Sequence, residues 1–158
     1  MQSIRDFVII AEAVYRMRLL HSMKKITVKR WAWNRDKFFV EIKTITTHIK
    51  DIAILCAKIA DNKKAEDIKI FAVGSTTSIA DFFVICSGLN GRQLQSIADD
   101  IKQALHERGI HGIGIEGYTD ATWILMDYGD VIVHLFDKEK RSFYDLDILW
   151  GDTPKIHW

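Results

Sequence analysis

Trp123-Ile124-Leu125-Met126-Asp127-Tyr128-Gly129-Asp130-Val131-Ile132-Val133-His134-Leu135-Phe136 decides the fold class. Residues 123–127 and 130–136 read as two strands. Tyr128-Gly129 between them has the length of a two-residue hairpin loop. Upstream, residues 110–118 alternate around three glycines and read as a weak edge strand. Before that, Asn90 with Gln93 three residues on is a capping-box-like helix start. Leu94, Ile97, Ala98, Ile101 and Leu105 then form one apolar stripe, and Gly109 stops the helix. Residues 68–73 and 81–87 are apolar strands separated by Gly74-Ser75-Thr76-Thr77-Ser78. Thr47 is placed to cap a helix running to Asn62, with Ile49, Ile52, Ala53, Cys56, Ile59 and Ala60 on one face. Downstream, Asp137 caps a last short helix reaching Tyr144. The order αββαβββα predicts an α/β domain with a mixed five-stranded sheet flanked by helices.

The whole chain has 158 residues, enough for one domain with a substantial core but short for two. Its formal net charge of +1 hides an uneven distribution. Residues 1–50 carry eleven Lys/Arg against four Asp/Glu, and residues 51–158 carry eleven against seventeen, balances of +7 and −6. All nine glycines and the single proline lie after residue 73. The expected division is a basic N-terminal extension over residues 1–45 and a folded domain over residues 46–158. Within the extension, Ile4, Phe7, Val8, Ala11 and Tyr15 have helical spacing over residues 3–20. Residues 25–33 and 37–45 are rich in β-formers, with Asn34-Arg35-Asp36 as a turn, and predict a hairpin. Basic residues mixed with aromatics fit an RNA-contacting arm, an organellar targeting segment, or upstream sequence before a true start at Met23. No run of about 18 or more apolar residues suggests a membrane span, and the N-terminus does not read as a secretory signal. Cys56 and Cys86 sit far apart in apolar runs, which fits two buried thiols in a reducing compartment, the cytoplasm by default.

Chemistry has few footholds. Gly74-Ser75 after a strand is similar to the phosphate-gripping turn of nucleotidyltransferases. Those enzymes need alternating carboxylates on the next strand to hold two metal ions. Asp81 is present, but the alternate position is Phe83, so the pair is missing. Asp127 and Asp130 flank a hairpin turn, where aspartate commonly serves the turn. His134 and His111 lack the spacing of a metal site, and Cys86 lacks a nearby base. Gly112, Gly114 and Gly117 spell GxGxxG inside a strand-like run, not at a strand-to-helix turn. No catalytic, metal or cofactor residue is therefore assigned. What remains is aromatics among acids: Trp123, Tyr128, Tyr144 and Trp150 with Asp120, Asp127, Asp130, Asp137, Glu139, Asp145 and Asp147. That composition suits an interface with a basic partner.

At these residues the chain resembles the ribosomal silencing factor (Iojap-like) family. The matching runs are Lys64-Ala65-Glu66-Asp67-Ile68; Ser78 through Asp81-Phe82-Phe83-Val84-Ile85-Cys86 to Gly88; Glu116-Gly117; Trp123 through His134; and Phe143-Tyr144-Asp145-Leu146 through Leu149-Trp150-Gly151-Asp152. The runs come in order, and the similarity covers about residues 46–154. The resemblance implies a nucleotidyltransferase-like fold without that activity, and no cofactor. It implies binding to the large ribosomal subunit through ribosomal protein fourteen, a steric block to small-subunit joining, and repression of translation. For organellar relatives it implies a role in subunit maturation. Carried over by motif, Trp123 and Tyr144 are the expected apolar anchors, Leu149 extends them, and Asp127, Asp130 and Glu139 offer carboxylates. The resemblance admits a homodimer of the free protein. It places the protein in the cytoplasm, or in a mitochondrion or chloroplast if residues 1–45 are a targeting segment. The competing expectations are a nucleotide-binding enzyme and an RNA-binding protein led by the basic arm.

Overall fold

Nine segments of regular structure carry the chain from Arg35 onward. The computed structural model describes residues 35–158, with side chains from residue 48. Helix α1 (Arg35–Asn62) leads into strand β1 (Glu66–Ala72) and strand β2 (Phe82–Gly88). Helix α2 (Gly91–His106) follows, then β3 (Gly114–Glu116), β4 (Trp123–Asp127) and β5 (Val131–Asp137). Two short helices, α3 (Lys138–Tyr144) and α4 (Leu146–Leu149), complete the order. Residues 48–158 form one compact unit.

The strands make a single mixed sheet in the order β1-β2-β5-β4-β3. Only β2 and β5 pair in parallel, with Phe83 opposite Ile132 and Ile85 opposite His134. The other three pairings are antiparallel. The loop after β4 turns back at once, with Tyr128 N–H donating to the Val131 carbonyl at 3.0 Å. Outside β1, Ala72 N–H donates to the Pro154 carbonyl at 2.8 Å and Ile156 N–H to the Ile70 carbonyl at 2.9 Å.

Successive strand residues point to opposite faces, so each strand supplies two different surfaces. One face carries Ile70, Phe82, Val84, Cys86, Ile124, Met126, Val131, Val133 and Leu135, packed under α1 and α2. Helix α2 meets it with the stripe Leu94, Ile97, Ala98, Ile101 and Leu105, all buried. The opposite face presents Phe71, Phe83, Ile85, Trp123, Leu125, Ile132, His134 and Phe136, also buried. That face lies on the side of α3, α4 and the aromatic residues they bring.

Several expectations need correction. The helix does not start at a Thr47 cap: α1 already runs from Arg35, so residues 37–45 are helical and not a hairpin strand. Phe38, Phe39, Val40 and Ile42 favour strands locally, yet this stretch holds no glycine or proline to end a helix that continues into the packed residues. The proposed partner strand at 25–33 and the helix at 3–20 lie outside the described residues. The edge strand shrinks to Gly114–Glu116, because Gly117 turns with φ of 72°. A Cβ at Gly117 would collide with the Trp123 carbonyl oxygen, so only glycine fits there. The start of α2 is a variant of the capping box. Asn90 Oδ1 accepts from Gln93 N–H at 2.9 Å, while Gln93 Oε1 accepts from Leu89 N–H, one residue earlier than in the standard box. Finally, the chain adds α4 after the expected last helix. A four-residue helix is too short to show a periodic pattern.

Candidate protein-docking face

The site is built at the end of β5. Asp137 stops the strand and starts α3, its Oδ1 accepting from Lys140 N–H at 2.7 Å. Helix α3 ends at Asp145, which takes a left-handed conformation with φ of 43° and ψ of 51°. That conformation turns the chain sharply into α4. The corner between the helices exposes Phe143, Ile148 and Leu149, which are 58%, 79% and 58% accessible. Tyr144 and Trp150 sit half-buried beside them.

Below the corner lies a floor of rings. Trp123 stacks on Phe136 with centroids 4.8 Å apart and lies 4.6 Å from the Tyr144 ring. Phe83 meets Trp150 at 5.1 Å and His134 at 5.3 Å, both edge to face. Phe143 meets Tyr144 edge to face at 5.1 Å. Rings thus continue from the buried sheet out to the exposed Phe143. Such pairs add about 0.5–1.5 kcal/mol each beyond the area they bury. Glu139 and Asp152 are exposed near this corner in sequence.

His134 belongs to the floor. Trp123 Nε1 donates to its Nδ1 at 3.3 Å, which leaves the proton of the neutral ring on Nε2. Burial, helped by the Arg141 charge, pushes its pKa down from 6.5 to about 3. Between those two values the unfolded chain binds a proton that the folded chain does not. Stability is therefore full above pH 6.5 and falls as pH drops from there towards 3, by up to about 1.4 kcal/mol per pH unit. Urea unfolding between pH 7 and pH 4 is expected to show this descent, and His134→Gln is expected to flatten it. Parallel slopes in parent and variant would sink the assignment.

Beneath the corner, Arg141 is 7% exposed and ties three segments together. Its Nε and Nη2 donate to the two carboxylate oxygens of Asp147 at 2.6 and 3.1 Å. Nη2 also donates to the Asp67 carbonyl and carboxylate, each at 3.2 Å. Lys69 Nζ reaches Asp147 at 3.0 Å and Asp67 at 3.1 Å. Burial of Asp147 opposes its ionisation, but the hydrogen bonds from Arg141 and Lys69 outweigh it and hold the carboxyl below the ordinary range.

The expected partner residues divide. Tyr144, Leu149 and Glu139 lie at or beside the corner. Asp130 is exposed but sits at the start of β5, while the corner follows its end, about 20 Å along the strand. Asp127 is fully buried, and its Oδ1 accepts from Gly129 N–H at 2.7 Å, so it serves the turn and offers nothing to a partner. Trp123 is only 9% exposed and is the floor rather than a projecting anchor. Phe143, Ile148 and Arg141 were not singled out from the sequence. The one available signal was Ile148-Leu149-Trp150 between Asp147 and Gly151-Asp152, and a three-residue apolar run does not reveal which way it faces.

Cys56 and Cys86 are buried and unbonded, and burial pushes both thiols up to about 12, which keeps them unreactive. Among the described residues no group of three or more His, Cys, Asp or Glu could hold a metal, and no helix is long and apolar enough to cross a membrane.

Fold and corner together define a class, an α/β domain with a mixed sheet that carries an exposed apolar corner over an aromatic floor. The comparisons with known proteins give this class a family. A family model described as "Ribosomal silencing factor during starvation" matches residues 46–158, and the chain belongs to that family. The Bacillus subtilis ribosomal silencing factor is 44% identical over 105 residues, 66% of this chain and 89% of that protein. A crystal structure of a Chromobacterium violaceum protein superposes with a TM-score of 0.63 at 31% identity, covering 65% of this chain and 86% of that one. A second, from Bacillus halodurans, gives 0.60 at 36% identity, covering 71% and 99%. The family is one of regulatory factors, not of enzymes.

Proposed function

We propose that the chain binds the large ribosomal subunit through ribosomal protein fourteen, sterically blocks joining of the small subunit, and so represses translation. The observation that supports it most directly is the corner of α3 and α4. Three large apolar side chains, Phe143, Ile148 and Leu149, lie exposed within seven residues over a rigid aromatic floor. Single exposed apolar residues are ordinary, whereas a contiguous group rimmed by polar residues marks a docking surface. The balance of −6 over residues 51–158 suits a basic ribosomal-protein surface. No chemical step is required. A domain bound where the small subunit must sit removes large subunits from the joining equilibrium by mass action. In this reading the protein works where the ribosomes are, in the cytoplasm. The basic arm of residues 1–45 adds contact to ribosomal RNA without being essential, and a homodimer is a form of the free protein.

The test is a joining assay with purified subunits. The full chain is expected to reduce formation of joined ribosomes in proportion to its occupancy of large subunits. Deletion of residues 1–45 is expected to leave most of that inhibition in place. Unimpaired joining at saturating full-length protein would overturn the reading. If the deletion alone abolishes association, with a steep salt dependence, the arm and not the corner makes the contact.

A further inference from the structure

The buried guanidinium of Arg141 is an expensive way to hold two short helices. Removing a charged group from water carries a heavy desolvation cost, and well-packed apolar residues often stabilise as well or better. Here Nη1 is buried without a hydrogen-bond partner among the described residues, which adds to the cost. Stability alone does not account for such a residue, but geometry does. Asp147 lies on α4, Arg141 on α3, and Asp67 on β1 at a left-handed residue with φ of 49°. The register of β1 against β2 shifts between Glu66 and Lys69, so Asp67 sits at an irregularity of the strand that turns its carbonyl and carboxylate to one guanidinium. The fork of Arg141 is planar and two-pronged, and it fixes direction as well as distance.

We propose that Arg141 is a positioning residue for docking: by gripping both oxygens of Asp147 and the irregular strand at Asp67, it sets the angle between the two helices that carry Tyr144 and Leu149. Helices of seven and four residues do not hold an orientation by themselves. The left-handed Asp145 between them permits a sharp turn, and the Arg141–Asp147 pair selects one angle. Ile148 and Leu149 directly follow the gripped Asp147, and Tyr144 lies one helical turn after Arg141, so the grip lies at the base of the apolar corner. The inference rests on the corner being the docking face.

Arg141→Lys and Asp147→Asn test it in the full chain, with Leu149→Asp as comparator. Arg141→Lys keeps the charge but loses the fork, while Asp147→Asn keeps the shape but loses the charge. Both are expected to weaken co-sedimentation with large subunits about tenfold. Amide hydrogen exchange is expected to quicken over residues 138–150 while β2 and α2 keep their protection. Uniformly faster exchange across the sheet would show a merely structural residue and overturn the proposal. Unchanged affinity and exchange in both variants would overturn it as well. If Leu149→Asp binds normally, the docking reading fails instead, and the exchange pattern alone decides whether Arg141 orients the helices.

Discussion

Trp123→Ala is expected to cost about 3–5 kcal/mol of folding stability, the range for deleting a buried Trp or Phe side chain. The residue matches the family motif and invites assignment as a contact, but it is 9% exposed. Its indole stacks on Phe136, touches Tyr144 and donates to His134. Removing it leaves a void under the corner and strips His134 Nδ1 of its donor. Against a total of about 5–15 kcal/mol for a domain of this size, that is a large fraction. Urea unfolding followed by circular dichroism reads it directly. A midpoint shift worth under about 1 kcal/mol would mean that Trp123 is not the floor described above. Any loss of ribosome binding in this variant should track the unfolded fraction.

Leu149→Asp should do the reverse. The side chain is 58% exposed, so a carboxylate there costs the fold little. In an apolar contact it would bury a charge without a partner, and truncating or charging a central interface residue costs about 2 kcal/mol or more, roughly thirtyfold in affinity. Combined with Ile148→Asp, co-sedimentation with large subunits is expected to disappear while the unfolding midpoint stays near that of the parent. Retained binding by the folded double variant would move the docking face elsewhere. The two experiments separate residues that build the face from residues that make it.

That separation was the part of the site the sequence could not supply. Strand β4 falls at residues 123–127 as its apolar run indicates, and the Asp137 cap of α3 follows from its position between an apolar strand and a charged run. Tyr144, Leu149 and Glu139 were legible as surface candidates. Asp127 was legible as a turn residue from its place beside Tyr128-Gly129, whereas Trp123 could be read either as core or as a contact. Burial of β4 on its second face depends on α3 and α4 folding back over the sheet, a long-range event with no local trace. The start of α1 was missed for the opposite reason. Its β-forming residues speak clearly about local preference, and the helix overrides them. Arg141 carried no signal either, since an arginine ending the mixed-charge run Asp137-Lys138-Glu139-Lys140 reads as a solvated surface charge until the backbone buries it.

The backbone pairing at the outer side of β1 has a consequence for how any partner must be recognised. Residues 154–156 hydrogen-bond along Ile70–Ala72, and the opposite edge, β3, is only three residues long. Among the described residues the sheet therefore offers no long row of free main-chain groups on which a foreign strand could lengthen it. Recognition by strand addition reads backbone and tolerates many partner sequences. Recognition through Phe143, Ile148 and Leu149 reads shape. On the proposed reading, a partner can drift in sequence away from the contact, while a single substitution opposite Phe143, Ile148 and Leu149 is expected to release it.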